Sequence, residues 1–113
     1  MKTPSRRRYK WYQLQFKGMM SRDVDIVNSS YDAVLFRRRE AVPYLCTKFL
    51  NSLTQSTADI MMRYFCVQLL CFSQTKEAMH ILLLALNDLD PRVRREAEYM
   101  KEELGFGRYR SSF

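Results

Sequence analysis

The chain has 113 residues, 47% of them hydrophobic, with only 3 Gly and 3 Pro. That composition suits one domain with a small core and argues against an all-β fold built on tight turns. Lys and Arg (19) outnumber Asp and Glu (12) to give a net charge of +7, and the excess is confined to Lys2, Arg6, Arg7, Arg8, Lys10, Lys17 and Arg22, which precede the first acid. Residues 23–113 balance, so the charge excludes a uniformly basic binding domain and describes a neutral body with a basic extension.

Residues 1–21 form that extension, read as a basic, aromatic amino-terminal arm. Its cations alternate with Tyr9, Trp11, Tyr12 and Phe16, the combination that lets a chain neutralise phosphates and stack on bases. Arg6, Arg7, Arg8, Lys10, Trp11 and Tyr12 are therefore candidate polyanion-binding residues. The competing readings are a disordered tail, aromatics folded back onto the body, or a targeting segment that is atypical for its aromatics. No apolar core of signal-peptide type is present, so secretion is not indicated.

The body, residues 22–105, reads as helices in series. Val24, Val27, Tyr31, Val34 and Leu35 support a first one, with Arg37, Arg38 and Arg39 at its end as a solvated cluster complementing the helix dipole. In the next, Val42, Leu45, Cys46, Phe49, Leu50 and Leu53 share one stripe. Ser56 with Asp59 resembles a capping box, followed by a helix that is apolar on nearly every face and must be covered on several sides. Ala78, Ile81, Leu82, Ala85, Leu86 and Leu89 form another stripe. Asp90 is placed to cap a last helix that opens on Pro91, runs through Val93, Ala97, Met100 and Leu104 on one face, and closes at Gly105. Residues 106–113 are a carboxy-terminal tail. The most apolar stretch, Ile60 to Phe72, is interrupted by Arg63 and Gln68 and is too short to span a bilayer, so no membrane partner is expected.

Few residues offer chemistry. Cys66 and Cys71 lie about 140° apart around one helix and cannot chelate a metal together, Cys46 is on another helix, and all three read as buried thiols in a reducing, intracellular compartment. His80 has no carboxylate or cysteine at a helical neighbour spacing. There is no Gly-rich phosphate loop, Ser/His/Asp set or metal-ligand cluster, so the expectation is a protein that is not an enzyme and takes no cofactor.

The helices also repeat. Ala41, Leu45 and Phe49 match Ala78, Leu82 and Leu86 at an offset of 37, and Met62-Arg63, Cys66 and Leu69 match Val93-Arg94, Ala97 and Met100 at 31, so the first copy has the longer turn. The run Leu86-Asn87-Asp88-Leu89-Asp90-Pro91-Arg92-Val93-Arg94-Arg95-Glu96-Ala97, ending in Leu104-Gly105, resembles a HEAT or HEAT-like repeat: an apolar first helix, an Asp-x-Asp-Pro turn, and Val-Arg-x-x-Ala opening the second helix. The copy at 41–72 lacks Asp-Pro and has Cys66 in place of the small residue, and 22–37 would be only the second helix of a degenerate leading repeat.

The resemblance implies an all-α fold, a short right-handed α-solenoid of antiparallel helix pairs with about five helices. It gives Asp90, Pro91, Val93, Arg94 and Ala97 structural roles, Arg94 reaching the turn of the preceding repeat. It places Arg63, Gln68, Arg92, Arg95 and Glu98 on the partner-facing side. The function expected first is a protein-interaction scaffold in a larger assembly, with a protein partner or self-association. The second is nucleic-acid association through the arm and the Arg92/Arg95 face. An enzyme, such as the bilin lyases and DNA glycosylases among HEAT-like proteins, has no candidate catalytic group here.

Overall fold

A computed structural model describes residues 5–104, and these contain six helices and no strand. They are α1 (Arg6–Met19), α2 (Val24–Phe36), α3 (Arg38–Leu50), α4 (Thr57–Ser73), α5 (Lys76–Ala85) and α6 (Pro91–Leu104). Six replace the expected five because the basic arm is itself a helix. Ser5 caps it by accepting from the Arg8 N–H at 3.1 Å, and Tyr12, Phe16 and Met19, spaced four and three residues apart, bury one stripe completely. The helix α1 packs chiefly on α2. The contact is tight: a Cβ on Gly18 would lie 2.9 Å from Ser30 Cβ and closer still to its hydroxyl, so glycine at this crossing lets the two backbones approach.

Odd-numbered helices pack side by side, α1 on α3 and α3 on α5, and even-numbered ones likewise, α2 on α4 and α4 on α6; each odd helix also packs on the even one that follows it. The smallest dimension, 23 Å, matches two helix diameters. The nearly all-apolar α4 packs against α2, α3, α5 and α6, which buries Ile60, Met62, Cys66, Val67, Leu69, Leu70 and Cys71. No described helix is long and apolar enough to cross a membrane.

Local chemistry fixes the ends. Asp90 caps α6, its Oδ1 accepting from the N–H groups of Arg92 (2.8 Å) and Val93 (3.4 Å), and Pro91 takes the first helical position. Ser56 caps α4 through the Asp59 N–H (3.2 Å), but the Asp59 carboxylate turns to the Thr54 hydroxyl (2.6 Å) instead of completing the reciprocal box. Gly105 and the tail 106–113 lie outside the described residues.

Two stripes overshoot their helices. Leu53 and Leu89 fall in turns beyond α3 and α5 and are 55% and 78% exposed. Val24, the first residue of α2, is exposed as well. The arginine run follows the end of α2 and opens α3: Arg37 is the last cap of one and the first of the other. Arg38 alone complements helix ends, donating to the carbonyls of Leu35 (3.3 Å) and Phe72 (3.2 Å) in the last turns of α2 and α4.

Ala97 is fully buried and the next residue of α6, Glu98, is exposed. Ala97→Glu should therefore force a charge into the helix contacts and destabilise by about 3 kcal/mol or more, while Glu98→Ala should stay within about 0.5 kcal/mol. Urea denaturation of the two variants checks the assignment, and equal tolerance would contradict it.

Candidate functional site

The turns joining α3 to α4 and α5 to α6 meet around one side chain. Arg63, on the second turn of α4, is 1% exposed. Its Nη1 donates to the carbonyls of Ser52 and Thr54, both at 2.6 Å. Its Nε and Nη2 fork onto Asp88 at 2.8 and 3.0 Å, and Nη2 also reaches the Gln55 side chain at 2.8 Å. All five guanidinium N–H groups are thereby satisfied. Asp88 in turn accepts from the Asp90 N–H (2.9 Å) through its carboxylate and from Arg94 (2.6 Å) through its carbonyl.

This overturns the placing of Arg63 on a partner-facing side: a residue enclosed by two turns and ion-paired inside them is structural. Its match to Arg94 in the repeat alignment was the available signal, since Arg94 had been given a structural role. Arg94 also differs from expectation. It reaches the carbonyl in its own turn, while the contact between successive turns is made forward, by Arg63 onto Asp88.

The other site residues separate into two groups. Arg92 pairs with Asp90 at 3.0 Å while staying 60% exposed, and Arg95 is exposed with a bond back to the Pro91 carbonyl at 3.3 Å. Gln68 is half-buried, accepting from the Tyr31 hydroxyl (2.9 Å) and donating to Glu96 (3.1 Å), a chain that links α2, α4 and α6 and that periodicity does not disclose. Burial, with Glu96 and Asp32 nearby, pushes the Tyr31 phenol up to about 12.

On α1, Tyr12 is fully buried, stacked on Tyr44 with ring centres 4.1 Å apart, and its hydroxyl donates to Glu40 at 3.0 Å. Burial and then that bond hold its phenol far above its ordinary range. Tyr12 therefore offers no face to a base, contrary to expectation, because the core of α1 and α3 needs it. Trp11 is half-buried, edge-on to Tyr12 at 4.9 Å, with the Arg37 guanidinium 5.7 Å over its ring. Arg6, Arg7 and Lys10 are exposed, and Arg8 pairs with Glu40 at 3.2 Å.

Two clefts flank these groups. One, of about 500 Å³, lies between α3 and α5, with Val42, Pro43 and Ile81 as apolar walls and Arg39, Glu77 and His80 among its polar lining. The half-buried Cys46 lines it too, while Cys66 and Cys71 are enclosed and all three thiols are unpaired. Burial raises the pKa of each thiol, that of Cys71 to about 12. The other cleft, of about 270 Å³, lies over the Arg63–Asp88 pair and is rimmed by Leu50, Leu53, Leu84 and Leu89, which are 48–78% exposed. Among the described residues no three His, Cys, Asp or Glu side chains are grouped to hold a metal ion.

The cap of α6 yields a pH prediction. The Arg92 guanidinium bond, helped by the backbone N–H groups of Arg92 and Val93 and opposed by partial burial, lowers the Asp90 carboxyl from 3.8 to about 2. A carboxyl whose folded pKa is depressed contributes stability that is present above its unfolded value and lost as pH falls through the folded one. Melting temperature should thus drop between about pH 4 and pH 2, and Asp90→Asn, which keeps a capping oxygen, should drop less. Thermal melts followed by circular dichroism across that range decide it; parallel pH profiles would contradict the assignment.

The chain matches no protein-family model, no curated protein and no solved structure.

Proposed function

We propose that the chain is a non-enzymatic protein-interaction module, a short right-handed HEAT-like solenoid of three antiparallel helix pairs that works within a larger assembly and, with its thiols reduced, inside the cell. The observation that carries the reading is the leucine-rimmed edge at the α3–α4 and α5–α6 turns. Leu50, Leu53, Leu84 and Leu89 surround one cleft whose floor is the already neutralised Arg63–Asp88 pair, with uncharged Gln55 and Asn87 between them. A cluster of exposed leucines on turns held by buried polar contacts supports a docking surface. In both the α3–α4 and α5–α6 pairs an arginine near the start of the second helix bonds the turn leading into that helix, Arg63 to Ser52 and Thr54 and Arg94 to Asp88, a local contact the two pairs share.

The occupant that suits this edge is a second copy of the chain. Its cations would ordinarily keep copies apart, but the arginine runs lie at the amino ends of α1 and α3, whereas the leucine edge lies at the carboxyl end of α3, whose last turn carries one cation, Lys48. Thirteen residues of helix separate the two, about 20 Å or roughly two Debye lengths at physiological salt. The leucine edges can meet with the arginine-rich ends turned away.

Sedimentation equilibrium over a wide concentration range should show self-association, and Leu53→Asn combined with Leu89→Asn should remove it. Both side chains lie outside the core, so the double variant should keep its melting temperature. A chain that stays monomeric at every concentration, or one whose association survives the double substitution, would contradict the reading.

A further inference from the structure

The sequence contains Arg-Arg-Arg twice, at 6–8 and at 37–39, and the fold brings the two runs to one corner. Arg8 Nε and Arg37 Nη1 share the single carboxylate of Glu40, at 3.2 and 3.5 Å. The other members of each run, Arg6, Arg7, Arg38 and Arg39, lie within two residues along the chain. Lys10 follows one turn along α1.

Seven cations thus lie on the two segments that meet at one acid, which is itself already bound by Arg8, Arg37 and the Tyr12 hydroxyl. Arg38 is engaged by two carbonyls, and Glu77 lies across the α3–α5 cleft from Arg39. Arg6, Arg7, Lys10 and Arg39 hold no ion pair among the described residues, and residues 1–4 and 105–113 contain no Asp or Glu. Both runs also sit in or beside the first turn of a helix, where the backbone dipole disfavours positive charge. The fold therefore concentrates more cations than the carboxylate between the two runs neutralises. At the same corner Phe36, the residue before the second run, is 84% exposed.

We propose that this corner binds the phosphate backbone of single-stranded nucleic acid, with Phe36 as the platform for a base. Arginine supplies six of the seven cations, and its planar fork matches phosphodiester oxygens and stacks on rings, as Arg37 already does on Trp11. An exposed ring among phosphate contacts is the arrangement that holds single strands without reading sequence. A membrane surface fits less well, because insertion requires a contiguous apolar face and the exposed rings here, Phe36 and Tyr9, stand among charges. The site is independent of the leucine edge and differs from one that relies on Tyr12, which is buried, or on Arg92 and Arg95, which lie on α6.

Fluorescence anisotropy of the full chain with a mixed-sequence single-stranded RNA, repeated from about 50 to 200 mM salt, tests the proposal. Binding should weaken steeply with salt, and Arg6→Gln, Arg7→Gln and Arg39→Gln together should lower affinity at least tenfold and flatten the log–log salt slope by roughly 2, about 0.7 for each lost contact. Phe36→Ala should lower affinity by about fivefold or more with the slope unchanged. Arg92→Gln with Arg95→Gln should leave both quantities alone, and unchanged circular dichroism melts establish that every variant is folded. No RNA binding by the native chain at low salt, full binding by the triple variant, or binding to phosphatidylserine vesicles without RNA binding would each overturn the proposal.

Discussion

A fully buried guanidinium is tolerated only where every donor finds a partner and its charge is met, and Arg63 satisfies both conditions by drawing two turns of the chain onto itself. Three of its five hydrogen bonds go to the stretch 52–55 and two to Asp88. The path of the α3–α4 connection is therefore set by a side chain on the helix that follows it. The α5–α6 connection is set by a charge borrowed from the previous helix pair. Burial of α4 follows, because the helix that carries Arg63 becomes the common neighbour of α2, α3, α5 and α6.

The same node accounts for the leucine edge. With their carbonyls and carboxylates directed inward to Arg63 and Arg94, these turns leave Leu53 and Leu89 pointing out. At the opposite end of α3 the constraint is of another kind. Tyr12 must stack on Tyr44 to complete the core, and that contact brings α1 alongside α3 and sets the arginine runs around Glu40. Polar burial at one end and aromatic burial at the other give α3 a leucine-bearing terminus and an arginine-rich one. Two surfaces of different chemistry on one small body would let the chain bridge a protein contact and a polyanion without either interfering with the other.

Much of this was legible in the residues. The Asp-Pro start of α6, the Ser56 cap and the apolar stripes through Leu45, Phe49, Ile81 and Leu82 are local features, and local features fix local structure. Composition misled for α1: seven cations and no acid in 22 residues read as an extension, although Tyr12, Phe16 and Met19 already lay on one helical face. The leucines of the two turns were assigned to stripes because periodicity does not know where a helix ends. Arg63 is a different case. Its partner Asp88 is 25 residues away, beyond any periodicity argument, and only its alignment with Arg94 pointed to it. The convergence of the arginine runs and the Gly18–Ser30 contact depend on which helices become neighbours, which no local pattern records.

The claim on which the rest depends is that Arg63 and Asp88 hold the two turns as one energetic unit, and a double-mutant cycle measures that directly. Arg63→Ala and Asp88→Ala should each destabilise by about 3–5 kcal/mol in urea, since each leaves the other's charge buried and unpaired. The double variant should lose at least about 1 kcal/mol less than the two single losses combined, within the range seen for residues in one network. Small losses that simply add would show that the turns are held by something else.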